Sequence, residues 1–355
     1  MKKGVLLINL GTPKTPTPKD VFNYLNEFLT DKRVIDLPFL KRHLLVRGVI
    51  VPSRFRSSAA SYETIWKKEG SPLLLYAKEN QRLLQKILGE EYCVEVAMRY
   101  QSPSIEEALK SLERLSLSEL IIIPLFPQYA SATTGSICEK VFAHLAQWAV
   151  MPKIRMINYF FDHPLLIEAF SSSAKKMHYE TYDHILMSFH GLPQSHLKKA
   201  DKSNFCQKQK DCCHHFCEKN ASCYGAQCYQ TAHLIAQKLS LKKEDFTVCF
   251  QSRLGKNPWI EPYTSSVLQS LIKLGKKKIL VLCPAFVCDC LETLHEIAIE
   301  YQKEFLHLGG EKLDLAPGLN SEPLWIETLK SLVEGQHDFT SFKTKKTNEL
   351  LASTL

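Results

Sequence analysis

The chain has 355 residues, 45% of them hydrophobic and 23% charged, with a formal net charge of +8. That is enough apolar material for two domains with a core each. The positive charge is modest and lies in scattered lysines rather than one stripe, which argues against nucleic acid and leaves anionic substrates or an anionic membrane face as partners.

Met1-Lys2-Lys3-Gly4 runs directly into an apolar stretch at 5–10, too short for the core of a signal peptide. No window approaches the roughly 20 apolar residues of a membrane helix. The expectation is a cytoplasmic protein, at most peripheral to the inner membrane, with monomer and homodimer both open. In a reducing compartment the 12 cysteines are thiols or metal ligands rather than disulfides.

Strand-like apolar runs at 5–10, 93–98, 120–126 and 154–159 alternate with helical patterns such as 20–29 and 104–115. A second set of runs follows at 184–189, 246–251, 279–285 and 313–316, separated by helical patterns such as 224–239 and 289–306. This alternation predicts an α/β fold with parallel sheets. The punctuation repeats: Asn9-Leu10-Gly11-Thr12-Pro13 ends the first run and Phe189-His190-Gly191-Leu192-Pro193 the fifth, while Pro124-Leu125-Phe126-Pro127 ends the third and Pro284-Ala285-Phe286 the seventh. An internal duplication of a four-stranded unit follows, with domains expected at 1–160 and 161–333 and the last helix packing back on the first. Residues 198–228 read as an insertion, and 334–355 as a loosely held tail. Two such sheets facing each other leave a cleft at their strand C-termini, where open parallel sheets bind ligands. No strand is followed by Gly-x-Gly-x-x-Gly, which excludes a dinucleotide-dependent oxidoreductase.

His190 stands where an apolar strand turns sharply at Gly-Leu-Pro, at a sheet edge. Glu292, Glu296 and Glu300 recur every four residues and line one side of the helix after the seventh strand. On a solvated face such a ladder is unremarked; facing a cleft, it offers oxygen ligands to a divalent cation. A neutral imidazole opposite a carboxylate also suits removal of protons from pyrrole nitrogens.

An ordered series of motifs then covers nearly the whole chain. It includes Leu6-Leu7-Ile8-Asn9-Leu10-Gly11-Thr12-Pro13, Phe28-Leu29-Thr30-Asp31-Lys32-Arg33-Val34-Ile35-Asp36, Glu69-Gly70-Ser71-Pro72-Leu73 and Met98-Arg99-Tyr100. It continues through Pro127-Gln128-Tyr129, Thr133-Thr134-Gly135-Ser136, Ser188-Phe189-His190-Gly191-Leu192-Pro193, Phe250-Gln251-Ser252-Arg253-Leu254-Gly255, Trp259 and Asp289-Cys290-Leu291-Glu292-Thr293-Leu294. In these the chain resembles the ferrochelatase family, specifically its Gram-negative bacterial branch. The resemblance implies two Rossmann-like domains enclosing a porphyrin, with ferrous iron and protoporphyrin IX as substrates, protoheme and two protons as products, and heme synthesis as the setting. It implies that His190 and Glu292 form the central catalytic pair, that His190, Glu292, Glu296 and Glu300 handle metal or protons, and that their helix carries a π-type widening. Leu10, Ser71, Arg99, Tyr100, Tyr129 and Trp259 would line the porphyrin pocket. Some members carry histidine where this chain has Cys290; the cysteine associates with protoporphyrin IX rather than coproporphyrin III. Rival readings are a chelatase for another metal or for coproporphyrin III, and a non-catalytic heme or iron–sulfur sensor on the same scaffold. The sensor should have lost His190 or Glu292, and both are present.

Cys206, Cys212, Cys213, Cys217, Cys223 and Cys228 crowd into the insertion. A plain group of reduced thiols, a structural zinc with His214 or His215, and an iron–sulfur cluster on four thiolates are the alternatives. No pair has the CxxC spacing of a zinc ribbon. The insertion resembles one in a subset of bacterial ferrochelatases that carry a [2Fe–2S] cluster, which implies Cys206, Cys213, Cys223 and Cys228 as ligands, Cys212 as the nearest substitute for Cys213, and Cys217 as spare.

Overall fold

The computed structural model describes residues 1–209, 211–255 and 257–336, so the expected tail lies, from residue 337 on, outside the described residues. The first half runs β1 (Lys2–Gly11), α1 (Pro18–Leu29), α2 (Phe39–Leu45), α3 (Val51–Ile65), α4 (Pro72–Leu88), β2 (Tyr92–Tyr100), α5 (Ile105–Glu113), β3 (Leu117–Pro124), α6 (Ser136–Leu145) and β4 (Lys153–Met156). The second runs α7 (Pro164–Lys176), β5 (His184–His190), α8 (Gln194–Ala200), α9 (Tyr224–Lys238), β6 (Phe246–Gln251), α10 (Thr264–Lys273), β7 (Lys278–Leu282), α11 (Gln302–His307), β8 (Lys312–Leu315) and α12 (Pro323–Glu334).

Each half forms a four-stranded parallel sheet, in the order β2-β1-β3-β4 and β6-β5-β7-β8. The shared order is the duplication that the strand-end punctuation predicts. Strands three and seven stop at Pro124 and Leu282, earlier than the apolar runs. Pro127 and Pro284, which lack an N–H, sit just beyond, where the chain leaves the ladder.

Alternation along the strands sets the layers. Val5 and Leu7 of β1 share one core with Ile185, Met187 and Phe189 of β5. Leu6 and Ile8 face the other way, beneath α5 and α6. On the second sheet Leu186 faces α10 and the segment ending in α11. Between the two inner faces run α4 against β1 and β2, α12 against α4 and α7, and α9 against α7 and β6. Fully buried Trp325 of α12 stacks on Phe160 at 6.0 Å. Arg155 of β4 donates to Leu332 O at 2.8 Å and also to Val333 O, satisfying carbonyls at the end of α12. Separate cores for the two halves were the expectation; their inner faces share one instead, because helices from both halves fill the space between the sheets.

Residues Ser131–Gly135 and Glu292–Tyr301 are wound as π-helix, with i→i+5 bonding. They follow β3 and β7 respectively, so the duplication extends to the widened turn. Among the described residues no helix is long and apolar enough to cross a membrane.

Candidate active site

His190 ends β5 and pairs in register with Gln251 at the end of β6. Gly191 allows the turn: a Cβ there would lie 2.8 Å from Gln251 O. The half-buried imidazole sits between Trp259 and Phe286, each ring centroid 6.4 Å away. Its Nδ1 lies 2.6 Å from Gly191 O. A carbonyl only accepts, so Nδ1 carries a proton, and in the neutral ring Nε2 is left as a base. The hydroxyl of buried Tyr224 donates to His190 O at 2.8 Å.

Across from it, the π segment presents its glutamates unequally. Glu296 accepts from Gln251 Nε2 at 3.2 Å, Ser252 N at 2.7 Å and Ser252 Oγ at 2.5 Å. Burial raises its proton affinity overall; Ser252, His190 and Gln251 oppose the shift, and Glu292 adds to it. His190 and Glu292 therefore both act electrostatically on this one carboxylate. Glu292 is half-buried beside Cys290, whose buried thiol bonds to it. Its charge also falls on Tyr24 and Tyr62, whose hydroxyls are held protonated, first by burial and then by neighbouring charges. Glu300 turns outward, its side chain 61% exposed, within 3.3 Å of His295 Nε2. The four-residue ladder thus runs from the interior to solvent rather than along one evenly buried face. Four residues overshoot an α turn but fall short of a π turn.

Leu10 packs with Leu291 and Leu294 against the group of Tyr24, Tyr62 and Tyr100, so the end of β1 meets the start of the π segment. Arg99 and Tyr100 are committed inward. Arg99 pairs with Asp31 at 2.7 Å and donates to Ser136 Oγ at 2.7 Å, and the Tyr100 hydroxyl donates to Asp31 at 2.9 Å. Burial alone would raise the Asp31 carboxyl, but the hydrogen bonds of Ser136 and of the Arg33 backbone, with the Arg99 charge, hold it below its usual range. Tyr100 is only 1% exposed. Ser71 is buried and accepts from Thr12 Oγ1 at 2.8 Å. Tyr129 is half-buried, its N–H donating to Gln227 of α9 at 2.7 Å. Trp259 is buried beside His190. The sequence reading passed over Asp31, Gln251, Ser252 and Tyr224. The first three lie inside the quoted motifs; nothing marked Tyr224.

The insertion is ordered by two polar side chains. Asp201 accepts from Cys206 N at 2.7 Å, and buried Asn220 donates to Cys212 O and His215 O while accepting from Cys217 N. Cys212 and Cys213 sulfurs lie 3.8 Å apart, Cys213 and Cys223 likewise, and the Cys206 thiol bonds to Cys223. Those thiols, with backbone N–H groups at the start of α9, stabilise the Cys223 thiolate, whose pKa falls to about 3; Cys206 and Cys213 are pushed up in return. Cys228, the fourth expected ligand, lies within electrostatic reach of Cys223. It is fully buried in the shared core with Tyr224 as its hydrogen-bond partner, while Cys212, the expected substitute, lies beside Cys213. Cys217 caps the turn at Glu218–Asn220. Among the described residues, no three His, Cys, Asp or Glu side chains are arranged to hold a metal ion as they stand.

The ferrochelatase family profile matches residues 2–337. A ferrochelatase of Legionella pneumophila (strain Philadelphia 1) is 45% identical over 336 residues, covering 95% of this chain and 100% of the relative. One of Coxiella burnetii (strain Dugway) is 43% identical over 334 residues, covering 94% and 93%. Among solved structures, SirB from Bacillus subtilis with Fe3+ aligns at a TM-score of 0.54 and 12% identity, over 96% of this chain and 100% of that one. A cobalt complex of the sirohydrochlorin chelatase SirB aligns at 0.51, over 96% and 100%. These structural likenesses concern the fold. With the profile spanning nearly the whole chain and full-length relatives above 40% identity, the chain belongs to the ferrochelatase family.

Proposed function

We propose that the chain inserts ferrous iron into protoporphyrin IX, with His190 and Glu292 as the catalytic pair and Glu296 and Glu300 behind them. The observation that carries this reading is the approach of the π segment to the β5–β6 strand ends: Gln251 bonds the Glu292 backbone carbonyl and the Glu296 carboxylate, Ser252 bonds that carboxylate too, and His190 and Glu292 both act on it electrostatically. The reaction releases two pyrrole protons. His190 Nε2, freed by the Nδ1 contact with Gly191 O, takes one. The buried carboxylates take the other, Glu296 having the raised proton affinity for it. Glu300 at the solvent end would meet the ion first. Leu10 presses on the ring, and binding energy is spent on bending it so that a nitrogen lone pair faces the metal. Ser71, Tyr129 and Trp259 complete the pocket, while Arg99 and Tyr100 act through Asp31. The choice of protoporphyrin rests on Cys290. His190→Ala and Glu292→Gln should each lower insertion at least ~100-fold with an unchanged circular dichroism spectrum; a fully active His190→Ala would overturn the assignment, and a preference for coproporphyrin III would overturn the substrate.

Four thiols linked in series, Cys212 to Cys213 to Cys223 to Cys206, suit an iron–sulfur centre in their donor chemistry. Cys206, Cys212, Cys213 and Cys223 would hold a [2Fe–2S] cluster, which when bound supplies structural cross-linking or redox sensing rather than a chelation step. Iron and sulfide counts of about two each, with a visible spectrum, are expected of the purified protein; a colourless protein rules the cluster out. Membrane contact is proposed at α2 and the turn after it. Phe39, Leu40, Leu44 and Val49 are exposed there, beside Lys41, Arg47, Arg54 and Arg56. Flotation with anionic vesicles should carry the protein up, and Leu40→Asp with Leu44→Asp should abolish it.

A further inference from the structure

We infer that Tyr224 is a positioning residue that couples the state of the cysteine centre to His190. The inference rests on the thiol centre proposed above. Cys223 and Tyr224 are consecutive, at the N-cap and first residue of α9. The Cys223 sulfur touches Cys213 at 3.8 Å and accepts backbone N–H groups from Gly225 and Ala226. The next side chain, Tyr224, is buried and places its hydroxyl 2.8 Å from His190 O. No residue separates the two in the chain. The first turn of α9 is pressed between Cys213 and Ile260, since a Cβ on Gly225 would lie 2.8 Å from Cys213 Sγ and from Ile260 Cδ1. Farther along, Gln227 clasps Ala221 O with its amide nitrogen and accepts the Tyr129 N–H, tying the helix to the opposite loop of the cleft.

A displacement at Cys223 therefore moves the Tyr224 hydroxyl, and with it the carbonyl that terminates β5. His190 gains no new partner from this bond; its backbone is held so that the ring keeps its place between Trp259 and Phe286. Binding of iron by the four thiols would fix the first turn of α9, and loss of iron would release it. The centre then acts on the reaction through position, without taking part in it.

The test is a two-by-two comparison of full-length wild type and Tyr224→Phe, each with its iron present and after chelation. Visible absorption and iron content report the centre, kcat and KM for porphyrin report insertion, and hydrogen exchange of amides 190–192 reports the strand end. Tyr224→Phe should keep the wild-type spectrum and a KM within twofold, with kcat about fivefold lower, the worth of one hydrogen bond. Chelation should lower kcat and speed exchange at 190–192 in wild type, and add little in Tyr224→Phe. If the two perturbations multiply, or Tyr224→Phe matches wild type, the coupling is wrong while the centre stands. A wild-type protein without iron or colour sinks the centre itself.

Discussion

Ser252 holds a backbone φ of +65°, a region non-glycine residues enter at a cost. The strain is local and has a use, because it aims both its N–H and its hydroxyl at Glu296. Ser252→Ala removes the hydroxyl bond that lowers Glu296 proton affinity. The acid limb of the pH–rate profile for metal insertion should then move upward by about one unit, since the carboxylate must be unprotonated to accept a proton. His184 gives a prediction on stability. Burial lowers its pKa to about 4, and its Nε2 meets Thr247 Oγ1 at 2.9 Å. The unfolded chain binds this proton more readily, so stability falls as pH drops from about 6.5 to about 4, by ~3 kcal/mol at most. Urea denaturation across that range should show a shallower loss in His184→Asn. At this scale a strand end and a helix start marked His190 and Glu292 as candidates, and only the resemblance implied that they form a pair. It could not find Ser252, because a positive φ leaves no mark on the residue that adopts it.

Among the elements, α9 separates what was legible from what was not. Its apolar periodicity located the helix, while Cys228 entered the expected ligand set only through the resemblance of the insertion. Cys223 is the extended N-cap residue and Cys228 lies buried within the helix, so the two thiols meet different surroundings although they are close enough to interact. Cys212 in turn lies 3.8 Å from its neighbour Cys213, a contact that the spacing alone did not show. Gly225→Ala would ordinarily stabilise a helix slightly. Here the added methyl meets Cys213 Sγ and Ile260, so the visible spectrum of the centre should weaken or vanish while the helix remains. The π segment was less accessible still. A four-residue spacing is compatible with both windings, and only the resemblance pointed to a widened helix.

For the whole molecule, the duplication was readable from turn residues, but strand order and the number of cores were not. Each half carries enough apolar residues to close on itself, and composition does not reveal that α4, α7, α9 and α12 serve both sheets. One shared core makes the halves a single cooperative unit. Trp325→Ala should cost about 3–5 kcal/mol and lower one common transition, seen equally by circular dichroism and by hydrogen exchange in β1 and β5. A second transition confined to one sheet would contradict this. The domain limits at 160 and 161 then mark a repeat boundary rather than a line along which the protein could be cut into folding parts.

The repeat has a consequence for direction. Leu10 and His190 occupy the same place in the two copies, at the end of the first strand of each sheet. A cleft built from two identical units would offer a flat molecule the same reception from above and below, and an ion could arrive on either side. Here one copy keeps an aliphatic tip at that position and the other an imidazole. One widened turn is short, while its counterpart is twice as long and bears the carboxylates. Under the proposed function, the lost symmetry would give the ring one side that supports and one that exchanges metal and protons.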